Sequence, residues 1–164
     1  MPDSAAATLI ATLRSRGLTI AVAESLTGGL LTADLVGVPG ASAVLLGGVV
    51  AYNTAVKHTV LGVDAGLLAA EGPVHPLVAE QMALGVRTAL AVDGRPADIG
   101  LSTTGVAGPG AQDGKPAGTV YLGFAVGDTA TSVLLSLEGD RAHIRSAVVS
   151  ESLARLAALL ADPQ

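Results

Sequence analysis

Residues 18–29 read LTIAVAESLTGG, and this stretch determines the kind of fold that the chain can adopt. The first six residues form a short apolar run with the length of a buried strand. The next six hold a carboxylate, two hydroxyl groups and two glycines, which are typical of a turn that opens a helix. A buried strand leading into a helix is the repeating unit of parallel α/β sheets. Ligands of such sheets bind at the carboxyl ends of the strands, so segment 24–29 is the first candidate site.

Hydrophobic periodicity on both sides of this stretch extends the α/β pattern over the whole chain. The patterns predict these elements: helices over 4–16, from 24–29 to before Pro39, over 76–92 and over 140–160; short helices near 54–60 and 65–70; strands over 18–23, 43–52 and 99–104; and an antiparallel hairpin of 119–126 and 131–137. The sequence therefore predicts one domain over residues 1–164. We expect a three-layer α/β/α sandwich with a mixed, mostly parallel sheet that ends in an antiparallel hairpin.

The composition excludes several classes of protein. Half of the 164 residues are hydrophobic, 2% are aromatic, 14% are charged, cysteine is absent and the formal net charge is -5. Such a chain is too apolar for a disordered protein and cannot form a disulfide scaffold. An acidic chain with three aromatic residues also lacks the means to neutralise phosphates or stack bases, so we expect no nucleic-acid partner.

A membrane segment is not expected either. The stretch 35–56 carries no formal charge, but its purely apolar and glycine part, residues 43–52, is far shorter than the roughly 20 residues of a spanning helix. The amino terminus lacks the basic region of a secretory signal. We expect a soluble, cytoplasmic protein without a membrane partner.

Ser25 and Lys57 are a candidate nucleophile and base. Burial lowers the pKa of a lysine and makes it a usable base near neutral pH, and Ser–Lys pairs are a known arrangement for activating a serine. On the sequence alone, the commoner explanation of each is structural: Ser25 or Thr27 would cap a helix, and Lys57 would be a solvated helix lysine. Tyr52, at the end of the predicted second strand and five residues before Lys57, is by itself more typical of a core residue.

A glycine-rich segment follows the third strand and could bind an anion. Thr104, Gly105 and Gly108 begin this segment, whose many backbone N–H groups can form an anion nest. Arg141 and Arg145 are four residues apart at the start of the last helix, where the helix dipole disfavours cations. A phosphate would remove that penalty, and so would a neighbouring acidic side chain. The histidines are scattered without metal-ligand spacing, so no metal and no cofactor are predicted.

Five segments in this order resemble the carboxy-terminal domain of the CinA family. They are AESLTGG (23–29), GGVVAYNTAVK (47–57), TTGVAGPG (103–110), GKPAGTV (114–120) and GDR (139–141). The resemblance runs from about residue 18 to the last helix, and it implies the same three-layer α/β/α fold. In this family the domain also occurs alone as an amidase that hydrolyses nicotinamide mononucleotide to nicotinic acid mononucleotide and ammonia, a step of pyridine nucleotide recycling.

The resemblance assigns roles to the matching residues. Ser25 would be the nucleophile, Lys57 its base, and Tyr52 would assist or position them. For the substrate, which is a small nucleotide, we expect backbone N–H groups near Thr27, Gly28 and Gly29 to stabilise the oxyanion. Further contacts are expected from these residues: Thr104, Gly105, Gly108 and, for the phosphate, Arg141 or Arg145.

The sequence departs from the family pattern at two places. Leu26 stands where the family often has cysteine, which leaves the chemistry of Ser25 intact. His75 stands where the family commonly has the serine of a G-A-V-S segment, so the cap of the helix after it, and substrate contacts nearby, are open.

The sequence is also compatible with three other functions. The chain could be a non-catalytic nucleotide-binding module, a protein-interaction domain in competence or the DNA damage response, or a hydrolase of another small amide. Self-association through the apolar helix near 77–90 also stays open.

Overall fold

The computed structural model describes residues 4–162, so the terminal residues 1–3, 163 and 164 of the predicted domain lie outside the described part. The elements, in chain order, are α1 (Ala5–Arg16), β1 (Ile20–Glu24), α2 (Leu30–Val36), a short 3₁₀ helix (Ala41–Ala43), β2 (Leu45–Val50), α3 (Thr54–Thr59), α4 (Ala65–Glu71), α5 (Pro76–Ala89), β3 (Ile99–Gly105), β4 (Thr119–Val126), β5 (Thr129–Ser136) and α6 (Arg141–Ala161).

The five strands form one mixed sheet in the order β2-β1-β3-β4-β5. β1 lies between β2 and β3 and is parallel to both, while β4 is antiparallel to β3 and to β5. Four of the five strands therefore run in the same direction, and β4 and β5 form the predicted hairpin. The predicted fold class is confirmed.

Alternating side chains of the central strand face two helical layers. Ile20 and Val22 of β1 contact a core built with α1, α2 and α6, whereas Ala21 and Ala23 face a second core built with α5 and the segment around α4. All five residues of β1 are buried. A strand covered on both faces reads as a continuous apolar run, which is why LTIAVA predicted this position correctly.

Helix α5 lies unusually close to the sheet. A Cβ added to Gly100 of β3 would lie 1.9 Å from the carbonyl oxygen of Ala83, and one added to Gly123 of β4 would lie 2.1 Å from that of Ala79. The Ser102 hydroxyl, on the same face, donates to the Ala79 carbonyl at 2.6 Å. The helix backbone thus rests on strand backbone, and no larger side chain fits between them.

Most predicted boundaries agree to within a few residues, and two differ. Helix α2 begins at Leu30 rather than within 24–29, because residues 25–29 form a separate turn. Strand β2 is shorter than 43–52 at both ends. His75 keeps the capping role that its substitution for serine had left open: its Nδ1 accepts from the Leu77 N–H at 3.2 Å.

The uncharged stretch 35–56 folds into parts of α2 and α3, the 3₁₀ helix, β2 and their connections. Within residues 4–162, no helix has both the length and the apolar character needed to cross a membrane.

Candidate active site

Ser25 occupies the first position after β1, at the carboxyl edge of the sheet. It is 8% exposed, and its N–H donates to the carbonyl of Thr103 on the neighbouring strand at 3.0 Å. The preceding residue, Glu24, is fully buried, and its carboxylate accepts hydrogen bonds from the N–H groups of Leu31 and Thr32 at 2.9 and 3.0 Å. A carboxylate at the start of α2 also complements the helix dipole. The turn that carries Ser25 is therefore fixed to β3 on one side and to α2 on the other.

Lys57 reaches the same point from α3. Asn53 caps this helix through a hydrogen bond from the Ala55 N–H at 2.9 Å, and the Lys57 side chain is 1% exposed. Its Nζ lies 2.9 Å from the Ser25 Oγ and donates to the Ala51 carbonyl at 2.7 Å. Burial lowers the pKa of Lys57 from 10.5 to about 8, because the charged form loses its water.

The pairing of β1 with β2 brings the two residues together. Glu24 is in register with Val50 at the ends of the two parallel strands, and the Ala51 N–H donates to the Glu24 carbonyl at 2.8 Å. The chain therefore leaves β2 beside the Ser25 turn. Six residues further on, the first turn of α3 carries Lys57 back towards it.

A cavity of about 160 Å³ opens above Ser25 and Lys57. Its lining residues are Ser25, Leu26, Tyr52, Thr54, Lys57, Pro73, Val74, Thr104, Gly105, Ala107, Gln112 and Arg141. Typical small-molecule pockets measure roughly 300–1,000 Å³. This cavity is therefore large enough for the reacting end of a ligand, and the rest of a larger ligand would lie at the cavity mouth.

Arg141 and Tyr52 lie together at the cavity. The Arg141 guanidinium donates to the Gly108 carbonyl at 2.7 Å and to the Tyr52 hydroxyl at 3.1 Å. Tyr52 is 63% exposed, so it is not the core residue that its type alone suggested. Arg141 thus joins the end of β2 to the glycine-rich segment, across the cavity.

Arg145 contacts the turn after Ser25 and not the cavity. Its Nε donates to the Leu26 carbonyl at 2.8 Å and its Nη2 to the Thr27 carbonyl at 3.1 Å, and it does not line the cavity. Of the two arginines offered for a phosphate, the structure brings only Arg141 to the cavity.

The other predicted binding residues divide in the same way. Thr104 and Gly105 line the cavity, and the Thr104 hydroxyl donates to the Pro73 carbonyl at 2.7 Å. The predicted residues that do not line it are Thr27, Gly28, Gly29 and Gly108. Thr27 is fully buried, with its Oγ1 2.8 Å from that of Thr103.

The sequence did not predict several residues of the site. No role was expected for Glu24, although an acidic residue shortly before a helix is a usable sign of a contact with the helix terminus. Pro73 and Val74 belong to the 72–75 segment whose substrate contacts were left open, and the structure places both at the cavity. Gln112 also lines the cavity, and nothing in its local sequence marks it. No group of three or more histidine, cysteine, aspartate or glutamate residues between 4 and 162 could hold a metal ion.

The sheet and the buried Ser25–Lys57 pair define the molecule as an α/β protein with a candidate nucleophile–base site at the carboxyl edge of its strands. The chain belongs to the CinA C-terminal domain family, whose model matches residues 2–160. It is 48% identical over 159 residues to a CinA-like protein of Frankia casuarinae, an alignment that covers 97% of this chain but 36% of the relative. The chain thus spans about a third of the length of the curated relatives it matches.

Solved structures agree over nearly their whole length. A competence-damaged protein (CinA) superfamily protein from Klebsiella pneumoniae superposes with a TM-score of 0.90 at 31% identity, covering 96% of both chains. The competence/damage inducible protein CihA from Agrobacterium tumefaciens gives 0.87 at 32% identity, covering 96% of this chain and 94% of that one. These matches establish both the fold and the family.

Proposed function

We propose that the chain is a Ser/Lys amidase that hydrolyses the carboxamide of nicotinamide mononucleotide to nicotinic acid mononucleotide and ammonia. The observation that carries the proposal is the 2.9 Å hydrogen bond between the Lys57 Nζ and the Ser25 Oγ. Both groups are buried at a cavity, and the pKa of Lys57 is lowered to about 8. A serine becomes nucleophilic only when a base of suitable pKa lies within hydrogen-bond reach, and this pair meets both conditions.

The first half of the reaction uses Lys57 in its neutral form. One N–H of the amine donates to the Ala51 carbonyl, which leaves the lone pair free to accept the proton of the Ser25 hydroxyl. The Ser25 Oγ attacks the carboxamide carbon, and the carbonyl oxygen takes up the negative charge. Lys57 then returns its proton to the amide nitrogen as the C–N bond breaks, so ammonia leaves and an acyl-enzyme remains.

The second half repeats these steps with water. Neutral Lys57 accepts a proton from a water molecule that attacks the acyl carbon, and it returns this proton to the Ser25 Oγ as the ester bond breaks. Nicotinic acid mononucleotide is released and the starting state is restored.

The size of the cavity supports an orientation for the substrate. We place the amide-bearing ring inside, beside Thr104 and Gly105, and the phosphate at Arg141, with Tyr52 next to it. Arg141 keeps free N–H donors after its two hydrogen bonds, since a guanidinium carries five. Arg141→Met should raise the KM for the nucleotide by roughly 10- to 100-fold, the value of a charged hydrogen bond of about 1.5–3 kcal/mol. Nicotinamide riboside, which lacks the phosphate, should show no such change.

The test is ammonia release from nicotinamide mononucleotide by the purified chain. We expect Ser25→Ala and Lys57→Met each to lower kcat at least about 1,000-fold, since either change removes the activated nucleophile. The matched controls are Ser15→Ala and Lys115→Met, which change a serine and a lysine outside the cavity. Full activity in either site variant would remove that residue from the pair. If the parent chain releases ammonia from another amide but not from nicotinamide mononucleotide, that amide takes the place of the nucleotide as the substrate.

A non-catalytic role in competence or the damage response is the second candidate. The names of relatives, such as the competence/damage inducible protein CihA, favour it. Because the net charge is -5, this role would use a protein partner rather than direct contact with nucleic acid. It predicts that the purified chain releases no ammonia from nicotinamide mononucleotide and retains a protein partner in a pull-down from cell extract.

A further inference from the structure

The turn after Ser25 contains two buried N–H groups without acceptors. The Ser25 N–H donates to Thr103, and the Gly28 N–H donates to the Ser25 carbonyl at 3.1 Å. For the N–H groups of Leu26 and Thr27, residues 4–162 provide no acceptor. Leu26 is 3% exposed and Thr27 is fully buried, and buried backbone N–H groups in proteins are nearly always hydrogen-bonded. Two such donors directly after a candidate nucleophile are available to bind an anionic or polar ligand atom.

Arg145 determines which way this turn faces. Its Nε and Nη2 hold the carbonyls of Leu26 and Thr27, on the side of helix α6. In a trans peptide the carbonyl and the next N–H point in opposite directions, so holding the Leu26 carbonyl turns the Thr27 N–H away from Arg145. The Ser25 carbonyl accepts a hydrogen bond from the Gly28 N–H, so the Leu26 N–H of the same peptide points in the opposite direction, away from Gly28.

We propose that the N–H groups of Leu26 and Thr27 form the oxyanion hole for attack by Ser25, and that Arg145 is the positioning residue that holds them there. This inference rests on the proposed function. It also revises the expected donors, because the Gly28 N–H is already bound within the turn. Leu26 lines the cavity beside Ser25, whereas the Thr27 side chain lies behind it against Thr103, so Thr27 would reach the oxyanion through its backbone N–H alone.

The arginine is needed because the alternative arrangement of the turn opposes the reaction. If the peptide between Leu26 and Thr27 rotated, a carbonyl oxygen would replace an N–H group and would repel the developing oxyanion. Two charge-assisted hydrogen bonds from one planar guanidinium oppose that rotation. Such an effect acts on the transition state more than on bound substrate, so it changes kcat rather than KM.

The experiment compares Arg145→Met, Arg145→Lys and the control Arg155→Met. Arg155 lies on the same helix α6 and pairs with Glu151, outside the cavity. With nicotinamide mononucleotide we expect Arg145→Met to lower kcat by about 100-fold, the usual effect of losing one oxyanion donor, with KM within about threefold of the parent. Arg145→Lys should give an intermediate kcat, Arg155→Met the parent value, and the pH midpoint of kcat/KM should stay unchanged. Thermal unfolding of each variant checks that it is folded.

Three outcomes would overturn the inference. A raised KM with unchanged kcat in Arg145→Met would make Arg145 a phosphate ligand. Parent values of both constants in Arg145→Met would leave the turn independent of Arg145, while the amidase function stands. A shift of the pH midpoint in folded Arg145→Lys would mean that Arg145 acts through Lys57.

A second readout separates this inference from the choice of substrate. A fluorophosphonate phosphonylates an activated serine: the serine oxygen bonds to phosphorus, fluoride leaves, and the phosphoryl oxygen occupies the oxyanion hole. We expect Ser25 of the parent chain to be labelled, and labelling of Arg145→Met to be slower by about the same factor as kcat, on the order of 100-fold. Labelling with this dependence, in a parent that releases no ammonia from the nucleotide, would support the inference and contradict the proposed substrate. Equal labelling of parent and Arg145→Met, or no labelling of the parent, would overturn the inference.

Discussion

Replacing Lys57 by methionine should change how the stability of the protein depends on pH. Methionine has nearly the length of the lysine stem and cannot be charged. In the parent chain the pKa of Lys57 falls from 10.5 to about 8 because the side chain is buried. A folded state with a lowered lysine pKa binds fewer protons than the unfolded chain between these two values. The stability due to neutral Lys57 is therefore present above pH 10.5 and is lost as the pH falls towards 8.

The size of this effect follows from the two pKa values. A pKa difference of one unit corresponds to about 1.4 kcal/mol, so charged Lys57 lowers the free energy of unfolding by about 3 kcal/mol at pH 7. At pH 9 the unfolded lysine is still charged and the folded one is mostly neutral, which leaves a penalty of about 2 kcal/mol. The stability of the parent relative to Lys57→Met should thus increase by about 1 kcal/mol between pH 7 and pH 9.

Urea unfolding of both proteins at the two pH values measures this change. Other titrating groups cancel, because they are common to both proteins. Lys115→Met is the matched control: it removes the other lysine of the chain, which is half-buried and donates to the Glu71 carbonyl at 3.4 Å. If the difference between parent and Lys57→Met were the same at pH 7 and pH 9, the lowered pKa of Lys57 would be wrong, and with it the argument that this lysine serves as a base.

Further predictions concern the reaction and the fold. Because Lys57 acts when neutral, kcat/KM should rise with pH to a plateau above about 8 and be about 100-fold below it at pH 6; a flat profile from pH 6 to 9 would contradict this. Glu24→Gln should lower the free energy of unfolding by about 3 kcal/mol, because an amide would turn a donor towards the N–H groups of α2, whereas Glu151→Gln should have little effect in the same urea titration. Gly100→Ala should lower the free energy of unfolding by about 3 kcal/mol or more, because the added Cβ would clash with α5. Gly110→Ala is the control, since a Cβ there meets no atom within 4 Å. Equal midpoints of thermal unfolding for the two variants would refute the close approach of α5 to β3.

The arrangement of elements could be predicted from the sequence because the physical cause of each is local. The apolar run 18–23 has the length and continuity of a central strand, and Gly127-Asp128 separates two alternating segments as a hairpin turn does. Asn53 and Asp140 stand directly before α3 and α6 and cap them through their side chains. The start of α2 was placed too early because a tight turn and a first helical turn have similar composition.

The Ser25–Lys57 pair was predicted through a family resemblance and not from spacing. The two residues are 32 positions apart, and their contact depends on β2 pairing with β1 rather than with another strand. Periodicity indicates that both strands exist, but it carries no information about their order in the sheet. The resemblance supplied the roles of Ser25 and Lys57 without any strand order, and the structure explains their contact through the register at Glu24 and Val50.

The separate roles of Arg141 and Arg145 could not be predicted. Residues four apart share a helix face, so the same partner, a phosphate, was expected for both arginines. In the structure, helix α6 passes the end of the Ser25 turn, and one helical turn of displacement takes one arginine to the cavity and the other to the carbonyls behind it. The rotation and height of a docked helix depend on packing along its full length, which no short motif encodes.

The contact between α5 and the sheet has a mechanical consequence for the cavity. Where backbone rests on backbone, as at Gly100 and Gly123, the helix can neither slide nor tilt by an ångström without a clash, so α5 and the central strands move as one rigid body. The wall formed by Pro73 and Thr104 belongs to this body, since it precedes α5 and ends β3. Among residues 4–162, the side-chain hydrogen bonds of Arg141 join the walls at the opposite rim, so we expect any widening that admits a ligand to occur there. A ligand that needs a wider opening would then displace the Arg141 side chain, while the core and the wall at Pro73 and Thr104 stay in place.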